Sequence, residues 1–261
     1  MTSLVDVTNM YFHYPRARII AGAAAWTLED ISLAIQPKST VGIVGESGSG
    51  KSTLVRVMCG LLHHQQGNVK FNGKDLSEFE GDGANDLRRE NQIVFQNPRR
   101  SLDPRMTIRR SLSEPIRALH NRQPDDDEII ATIERVGLGG EVLSRFPHQL
   151  SGGQLQRVGI ARSLSVQPTI LYADEPVSAL DVSVQAQVLN LLMDLRDQLG
   201  LTLVMVSHDL GVVSRMCEEI IVIRHGRIVE AGKTDSVLAR PDSDYTASLL
   251  RAARAASLER S

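Results

Sequence analysis

Apolar residues recur along the chain with two different periods, which predict strands and helices. Alternation in SLVDVTNM and EDISLAIQP predicts a strand in each, and the apolar TVGIVG that follows predicts a buried strand. Between residues 51 and 62 the apolar positions fall on one face of a helix. NVKFNG ends in Asn72-Gly73, a pair typical of hairpin turns, and NQIVFQ predicts another short strand. Residues 15–29 are expected to form a loop.

The middle of the chain differs because strand patterns are missing from it. From Arg99 to about Leu164 helical spacing dominates, with helices predicted at residues 125–136 and 152–164. Strand patterns return with TILYAD, followed by a helix at residues 182–198, the strand TLVMVS, a further helix and a hairpin that turns at His225-Gly226. Strands that alternate with helices indicate a mixed α/β core with a mostly parallel sheet, interrupted here by a helical segment.

Composition narrows the class of protein without naming a function. The 261 residues, 42% hydrophobic and 23% charged, are typical of a globular protein with one large or two smaller domains. A net charge of −2 disfavours sequence-independent binding to nucleic acid. The start lacks a signal-peptide pattern, and the longest apolar run, residues 19–26, is too short to span a bilayer. Cys59 and Cys217 are expected to be buried thiols in a reducing cytosol.

The segment GESGSGKST, which we call the phosphate loop (residues 45–53), matches G-x-x-x-x-G-K-[ST] at every fixed position. Its glycines let backbone N–H groups turn toward an anion, and the positive end of the predicted helix points at the same place. We expect Lys51 to reach the β- and γ-phosphates of a nucleotide and Ser52 to offer its hydroxyl to Mg²⁺. The alternative, a chance glycine-rich turn, is disfavoured by the strand before the loop and the helix after it.

A carboxylate pair ends the strand predicted in ILYADE. Asp174 there can hold Mg²⁺ through water, and Glu175 is placed to polarise an attacking water. A solvated surface pair is the alternative, and the apolar strand before the pair makes it the weaker one. His208 and Gln96 also end strand-like runs, at the edge where ligands bind in open α/β sheets. Taken alone, neither residue predicts a site.

A second glycine-containing segment, LSGGQ, which we call the signature loop (residues 150–154), leads directly into a predicted helix. The hydroxyl of Ser151 and the N–H groups of Gly152 and Gly153 can therefore bind an anion. The residues alone leave open on which molecule this second anion site acts.

Together these segments make the chain resemble the ATP-binding subunits of ABC transporters over nearly its whole length. The phosphate loop, Gln96, the signature loop, ILYADE, SALD at residues 178–181 and His208 occur in the order of that family. The resemblance implies an α/β fold of the P-loop NTPase type: a mixed-sheet core with an antiparallel β-subdomain and an inserted α-helical subdomain. It also implies a head-to-tail pair of ATPase domains, in which the phosphate loop of one domain and the signature loop of the other close on one ATP.

The resemblance implies boundaries and roles as well. Residues 1–97 and 167–233 would form the core with its β-subdomain, residues 98–166 the helical subdomain, and residues 234–261 a helical tail. Glu175 would be the general base, His208 would contact the γ-phosphate, and Asp181 would join the two sites, while Gln96 would ligate Mg²⁺ and sense a membrane partner. The residues implied to hold nucleotide or Mg²⁺ are Tyr14, Gly45, Glu46, Ser47, Gly48, Ser49, Gly50, Lys51, Ser52, Thr53, Gln96, Ser151, Gly152, Gly153, Gln154, Asp174 and Asp181. Tyr14 would stack on adenine, although Tyr11 and Phe12 are alternatives.

FQNPRRSLDPRMTI, PHQLSGGQLQRVGIARSL and the tail PDSDYTASLLRAA look like the peptide and nickel importer branch of the family. Asn97 and Asp103 depart from its usual text, and His-Pro is missing before the tail's Tyr-Thr, which leaves the cargo open. The branch implies permease subunits at the cytoplasmic face of the inner membrane, an identical or different ATPase partner, and indirectly a binding protein outside. A basic cluster after Gln96 (Arg99, Arg100, Arg105, Arg109 and Arg110) is either a solvated face or a dock for the permease. A soluble non-transport assembly, such as a phosphonate-degradation complex, is the alternative function, and a translation or repair protein ranks last.

Overall fold

A computed structural model describes residues 2–15, 19–20, 23–24, 26–178 and 180–258. The strands are β1 (Val5–Phe12), β2 (Ile19–Ile20), β3 (Ala23–Ala24), β4 (Leu28–Ile35), β5 (Thr40–Val44), β6 (Gln66–Phe71), β7 (Lys74–Asp75), β8 (Asn91–Val94), β9 (Ile170–Asp174), β10 (Thr202–Ser207), β11 (Glu219–Arg224) and β12 (Arg227–Lys233). The α-helices are α1 (Lys51–Met58), α2 (Asp82–Glu90), α3 (Pro98–Ser101), α4 (Ile108–His120), α5 (Asp126–Glu134), α6 (Gly152–Leu164), α7 (Val182–Leu199), α8 (Leu210–Met216), α9 (Thr234–Ala239) and α10 (Asp244–Leu258). Short 3₁₀ turns lie at Leu76–Glu78, Gly140–Ser144 and Pro147–Gln149.

The chain divides into two compact units, and the first is made of Met1–Glu80 and Thr202–Ser261. One of its sheets is antiparallel, with the order β4-β1-β6-β7. Its other strands follow the order β12-β11-β5-β10, in which β5 runs parallel to both β11 and β10. Helix α8 lies so close to β5 that a Cβ on Gly42 would come 2.3 Å from a methyl of Val213.

Strand β5 explains where the phosphate loop lies. Every residue of TVGIV is buried, as expected for a strand with neighbours on both edges and covered faces. The loop leaves the carboxyl end of this strand at Gly45, whose φ is 152°. A Cβ there would come 2.1 Å from the carbonyl oxygen of Ile223 on β11, so only glycine fits this close approach.

The second unit, Gly81–Leu201, contains the predicted helical segment together with two strands. Strands β8 and β9 pair in parallel, with Val94 opposite Ala173, so both strands end at the same edge. Helices α4 and α6 pack together, and their inward side chains Ile108, Leu112, Leu155 and Val158 are completely buried. Full burial of each such aliphatic side chain contributes about 1.5–3 kcal/mol to folding.

Two local predictions need correction. The helix that follows the phosphate loop ends at Met58 and not at Leu62, because Gly60 takes a left-handed φ of 76° and Leu61 turns outward, 52% exposed. The loop predicted at residues 15–29 contains the short antiparallel pair β2–β3 and the start of β4. Its residues 16–18, 21–22 and 25 lie outside the described residues, as does Ala179. The predicted subdomain boundaries stay a prediction.

Candidate functional site

The phosphate loop holds its lysine on its own backbone. Lys51 is 5% exposed, and its Nζ donates to the carbonyl oxygens of Gly45 and Glu46, each at 2.8 Å. Gly50 is the N-cap of α1 with a φ of 109°, a conformation that costs little only for glycine. The hydroxyl of Ser49 is buried and makes no hydrogen bond within the described part of the chain. A buried polar atom of this kind marks a place where a bound ligand can supply the missing partner.

An aromatic side chain lies beside the phosphate loop in the same unit. Tyr14 is 37% exposed, and its hydroxyl lies 3.2 Å from Oγ1 of Thr53. Its ring meets Phe12 edge to face at 4.9 Å, and Phe12 itself is buried. The ring of Tyr11 packs against Trp26 at 5.3 Å. Of the three candidate aromatic residues, Tyr14 thus presents the most accessible ring.

The hairpin of β11 and β12 braces the phosphate loop, a contact that sequence reasoning missed. The N–H of Gly226 donates to the carbonyl of Ser49 at 2.9 Å, and the carbonyl of Gly226 accepts from Glu29 at 2.8 Å. A Cβ on Gly226 would come 2.3 Å from the carbonyl oxygen of Thr27. The His225-Gly226 turn was predicted from the sequence, but its contact with residue 49 leaves no local signal.

In the second unit the parallel pairing of β8 and β9 brings Gln96 and Glu175 together, although they are 79 residues apart. Nε2 of Gln96 donates to Oε2 of Glu175 at 2.9 Å and lies 3.1 Å from Oγ of Ser178. The Ser178 hydroxyl also donates to the carbonyl of Glu175 at 3.2 Å. Asp174, at the end of β9, is 4% exposed. The amide of Gln96 thus fixes the carboxylate of Glu175 just after β9, and the carboxylate of Asp174 before it is buried.

Glu175 also has an unusual backbone. Its φ is 48°, in the left-handed region that non-glycine residues rarely occupy. Such conformations cost on the order of 1–3 kcal/mol and are retained where the surrounding structure enforces them, often at functional sites. The left-handed turn directs the chain away from β9 immediately after Asp174. The sequence singles out Glu175 by its position after a strand but carries no signal for this conformation.

The signature loop is a self-capped helix start. Ser151 is the N-cap of α6: its Oγ accepts from the N–H of Gln154 at 3.3 Å, and the Gln154 side chain accepts from the N–H of Ser151 at 3.0 Å. This reciprocal pair is a capping box. Ser151 and Gly152 are exposed, and a Cβ on Gly153 would come 2.6 Å from a methyl of Val184.

Two further predicted residues, His208 and Asp181, are exposed. His208 directly follows β10 in the first unit, and the next residue, Asp209, caps α8 by accepting from the N–H of Gly211 at 2.8 Å. Asp181 precedes α7 in the second unit as its N-cap residue. Beside it Val182 is 78% exposed.

Comparison with known proteins decides the family. The family profile described as ABC transporter matches residues 28–178. The chain belongs to the ABC transporter family. This ABC ATPase is 43% identical, over 228 residues, to the oligopeptide transport ATP-binding protein OppF of Salmonella typhimurium, with 86% of this chain and 68% of the relative covered. It is 42% identical over 255 residues to the glutathione import ATP-binding protein GsiA of Pectobacterium atrosepticum, covering 95% of this chain but 41% of that longer protein.

A solved structure of an ATP-binding cassette, a dimer in a post-hydrolysis state bound to ADP and Pi, superposes on this ABC ATPase with a TM-score of 0.77. The two are 28% identical, and the match covers 88% of this chain and 98% of that one. The fold predicted from the motifs, an ABC ATPase domain of the P-loop type, is confirmed. The protein is an ATPase whose hydrolysis of ATP is coupled to transport. None of its described helices combines the length and the apolar character that a membrane span requires.

Proposed function

We propose that this ABC ATPase is the energy-coupling subunit of an importer that carries peptides or related small solutes. The cargo class rests on the relatives, which include an oligopeptide transport protein and a glutathione import protein at 43% and 42% identity. The ATP chemistry rests on one observation above all: the buried ammonium of Lys51 is held by two carbonyls inside the glycine-rich loop. A lysine fixed in this way meets the phosphates of ATP without first having to be ordered.

In the proposal, backbone N–H groups of residues 45–53 surround the phosphates and the dipole of α1 adds positive potential. Lys51 binds the β- and γ-phosphates, and the buried Ser49 hydroxyl gains a partner. The exposed ring of Tyr14 stacks on the adenine, which the packing of Tyr11 and burial of Phe12 support. His208 contacts the γ-phosphate.

The proposed metal is Mg²⁺, which the available donors fit. Mg²⁺ prefers oxygen ligands and keeps several waters in its shell. Ser52 would supply a hydroxyl, Gln96 an amide oxygen and Asp174 a carboxylate as oxygen donors to the ion. When bound, the ion neutralises charge on the phosphate oxygens.

Glu175 is the proposed general base. A water attacks the γ-phosphorus, the bond from that phosphorus to the bridging oxygen of ADP breaks, and the water's proton passes to the Glu175 carboxylate. Gln96 positions this carboxylate, because its amide already donates to Oε2 at 2.9 Å.

The signature loop is proposed to act on the nucleotide of a second ATPase chain. Its exposed Ser151 and Gly152 offer a hydroxyl and N–H groups at the positive end of α6. Gln154 and Asp181 are proposed to take part in the same contact with the second chain. That second chain is either an identical copy or a different ABC ATPase. ATP then joins the two chains, and loss of the γ-phosphate parts them.

The proposed place of work is the cytoplasmic face of the inner membrane, on permease subunits that span it, with an external binding protein acting indirectly. Affinity purification of the tagged chain from its native cells in mild detergent, followed by mass spectrometry, tests this proposal. Multi-span permease subunits in the eluate are the expected result. A soluble enzyme assembly without membrane proteins would contradict it. Co-purification with the subunits of a nickel importer would change the proposed cargo from peptides to nickel.

A further inference from the structure

The C-terminal segment of the first unit reaches the phosphate loop, although nothing in the ATP chemistry uses it. The hydroxyl of Tyr245, at the start of α10, accepts a hydrogen bond from the N–H of Glu46 at 3.0 Å. The two residues are 199 positions apart, so the fold and not the local sequence creates this contact. Tyr245 belongs to the Tyr-Thr pair of the tail motif, to which the sequence assigned no role.

The tyrosine is held in place from three sides. Its side chain is 6% exposed, and the guanidinium of Arg224, at the end of β11, lies 4.7 Å from the ring centroid. Its own N–H donates to Oγ of Ser243 at 3.2 Å. Burial raises the pKa of Tyr245 above its ordinary value of 10, so the hydroxyl stays protonated at neutral pH.

The entry of the chain into α10 is anchored as well. The carboxylate of Glu230 on β12 accepts from the N–H groups of Asp242 and Ser243 at 2.9 and 3.1 Å. Both oxygens of one carboxylate thus fix the backbone immediately before Tyr245. A hydroxyl supported in this way is a rigid acceptor and not a mobile surface contact.

The contacted peptide is the one that orients the lysine. The N–H of Glu46 and the carbonyl of Gly45 belong to the same planar peptide group. The N–H end bonds to Tyr245, and the carbonyl end accepts from Nζ of Lys51 at 2.8 Å. Rotation of this peptide would break both bonds together, so Tyr245 opposes the rotation that would release Lys51.

We infer that Tyr245 is a positioning residue of the phosphate loop: its hydroxyl fixes the Gly45–Glu46 peptide, which anchors Lys51, and so raises the affinity for the phosphates of nucleotide. The inference rests on the proposed function of Lys51. It gives the C-terminal helix a role in nucleotide binding that is separate from any contact with the permease.

The test compares Tyr245→Phe, which keeps the ring and its cation–π contact, with Ser248→Ala on the same helix. Within the described part of the chain, the Ser248 hydroxyl donates to the carbonyl of Tyr245, at 2.7 Å. In calorimetric titrations of the full chain, Tyr245→Phe is expected to weaken ATP and ADP binding about three- to tenfold, as for one lost hydrogen bond. KM for ATP should rise by the same factor while kcat stays within about twofold, because ground-state and transition-state binding fall together. Ser248→Ala should bind as the unaltered protein does.

Amide hydrogen exchange at Glu46, measured by NMR on the nucleotide-free chain, reports on the contact itself. Tyr245→Phe should accelerate this exchange and Ser248→Ala should not. Unchanged exchange in Tyr245→Phe, unchanged nucleotide affinity, or an equal loss in both variants would each overturn the inference. Lys51→Ala separates the two proposals: normal ATP binding in that variant would refute the phosphate-loop function, whereas a failure of Tyr245→Phe alone would refute only the positioning role.

Discussion

The phosphate loop and the signature loop both place glycines at the start of a helix, but they differ in what they do without a ligand. The phosphate loop has glycine at its N-cap, a buried lysine bonded to its carbonyls and a buried serine hydroxyl without a partner among the described residues. The signature loop makes its own capping hydrogen bonds, because the side chains of Ser151 and Gln154 each accept from the backbone N–H of the other. Its two glycines are the first two residues of α6. The first loop therefore has a polar group that a bound anion can satisfy. The second loop already has its capping hydrogen bonds without an anion.

This difference shows how a glycine-containing helix start can suit either of two roles, the primary binding of ATP or the proposed contact between two chains. A loop with an unmet polar group gains much from a bound phosphate, which suits the primary binding of ATP. A capped helix start gains less from an anion, since the ligand must compete with its own capping bonds. Weak binding at the second loop would suit the proposed contact with another chain, which has to form and break in every cycle.

The largest expected effect is a loss of ATP hydrolysis that leaves ATP binding by both loops intact. Glu175→Gln should lower kcat by about 10²- to 10⁴-fold, because the attacking water loses its base, while ATP affinity is kept. Since the γ-phosphate then persists, the variant should accumulate as an ATP-bound dimer. Phosphate release and sedimentation velocity measure the two properties. Glu134→Gln, an exposed carboxylate at the end of α5, is the matched control. Full turnover in Glu175→Gln would remove this residue as the base.

Removing the lysine should break the first loop alone. Lys51→Ala is expected to weaken ATP binding by about 100-fold, which corresponds to the loss of one or two charge-assisted hydrogen bonds. Fluorescence titration with a labelled nucleotide measures it, and Lys70→Ala, at an exposed position on β6, serves as control. An affinity equal to that of the control would contradict the assignment of the loop.

An arginine at the signature serine should break the second loop alone. Ser151→Arg fills the exposed start of α6 with a bulky side chain, so ATP-driven dimerisation should weaken by at least about tenfold while the nucleotide affinity of the monomer is unchanged. Analytical ultracentrifugation with ATP in the Glu175→Gln background reports it. Ser144→Arg, at another exposed serine of the same unit, should dimerise normally. A normal dimer in Ser151→Arg would refute the role of the signature loop.

The smallest expected effect sharpens the contrast in capping. Ser151→Ala should lower the free energy of unfolding by about 1 kcal/mol, because the N–H of Gln154 loses its acceptor. Ser151→Thr keeps a hydroxyl and should lose only a few tenths of that amount. Urea denaturation measures both variants. Equal stability of Ser151→Ala and the unaltered chain would show that the capping box does not stabilise α6 in solution.

The sequence predicted the elements that carry motifs better than the contacts between distant segments. Strands β5 and β9 and helix α6 were found because a periodic run meets glycine or a carboxylate at a defined place. The end of α1 was missed because the apolar face continues past Gly60, where only the positive φ stops the helix. Backbone geometry overrode periodicity at this position.

The candidate site follows the same rule. The sequence places Gln96 and Glu175 each at the end of a strand pattern, and in the structure a 2.9 Å hydrogen bond joins them. The left-handed backbone of Glu175 and the bond from Glu46 to Tyr245 had no local signal. Both depend on how segments far apart in the chain are held, which is information that a motif does not contain.

The central claim is that the phosphate loop of one chain and the signature loop of another bind the same ATP. The most direct measurement mixes two chains in the Glu175→Gln background, one with Lys51→Ala and one with Ser151→Arg, and follows ATP-dependent dimerisation by analytical ultracentrifugation. Each chain alone lacks one half of every site and should stay monomeric. The mixture restores one complete site, so we predict that a dimer reappears with ATP. A mixture that stays monomeric, although Glu175→Gln alone dimerises, would contradict the account.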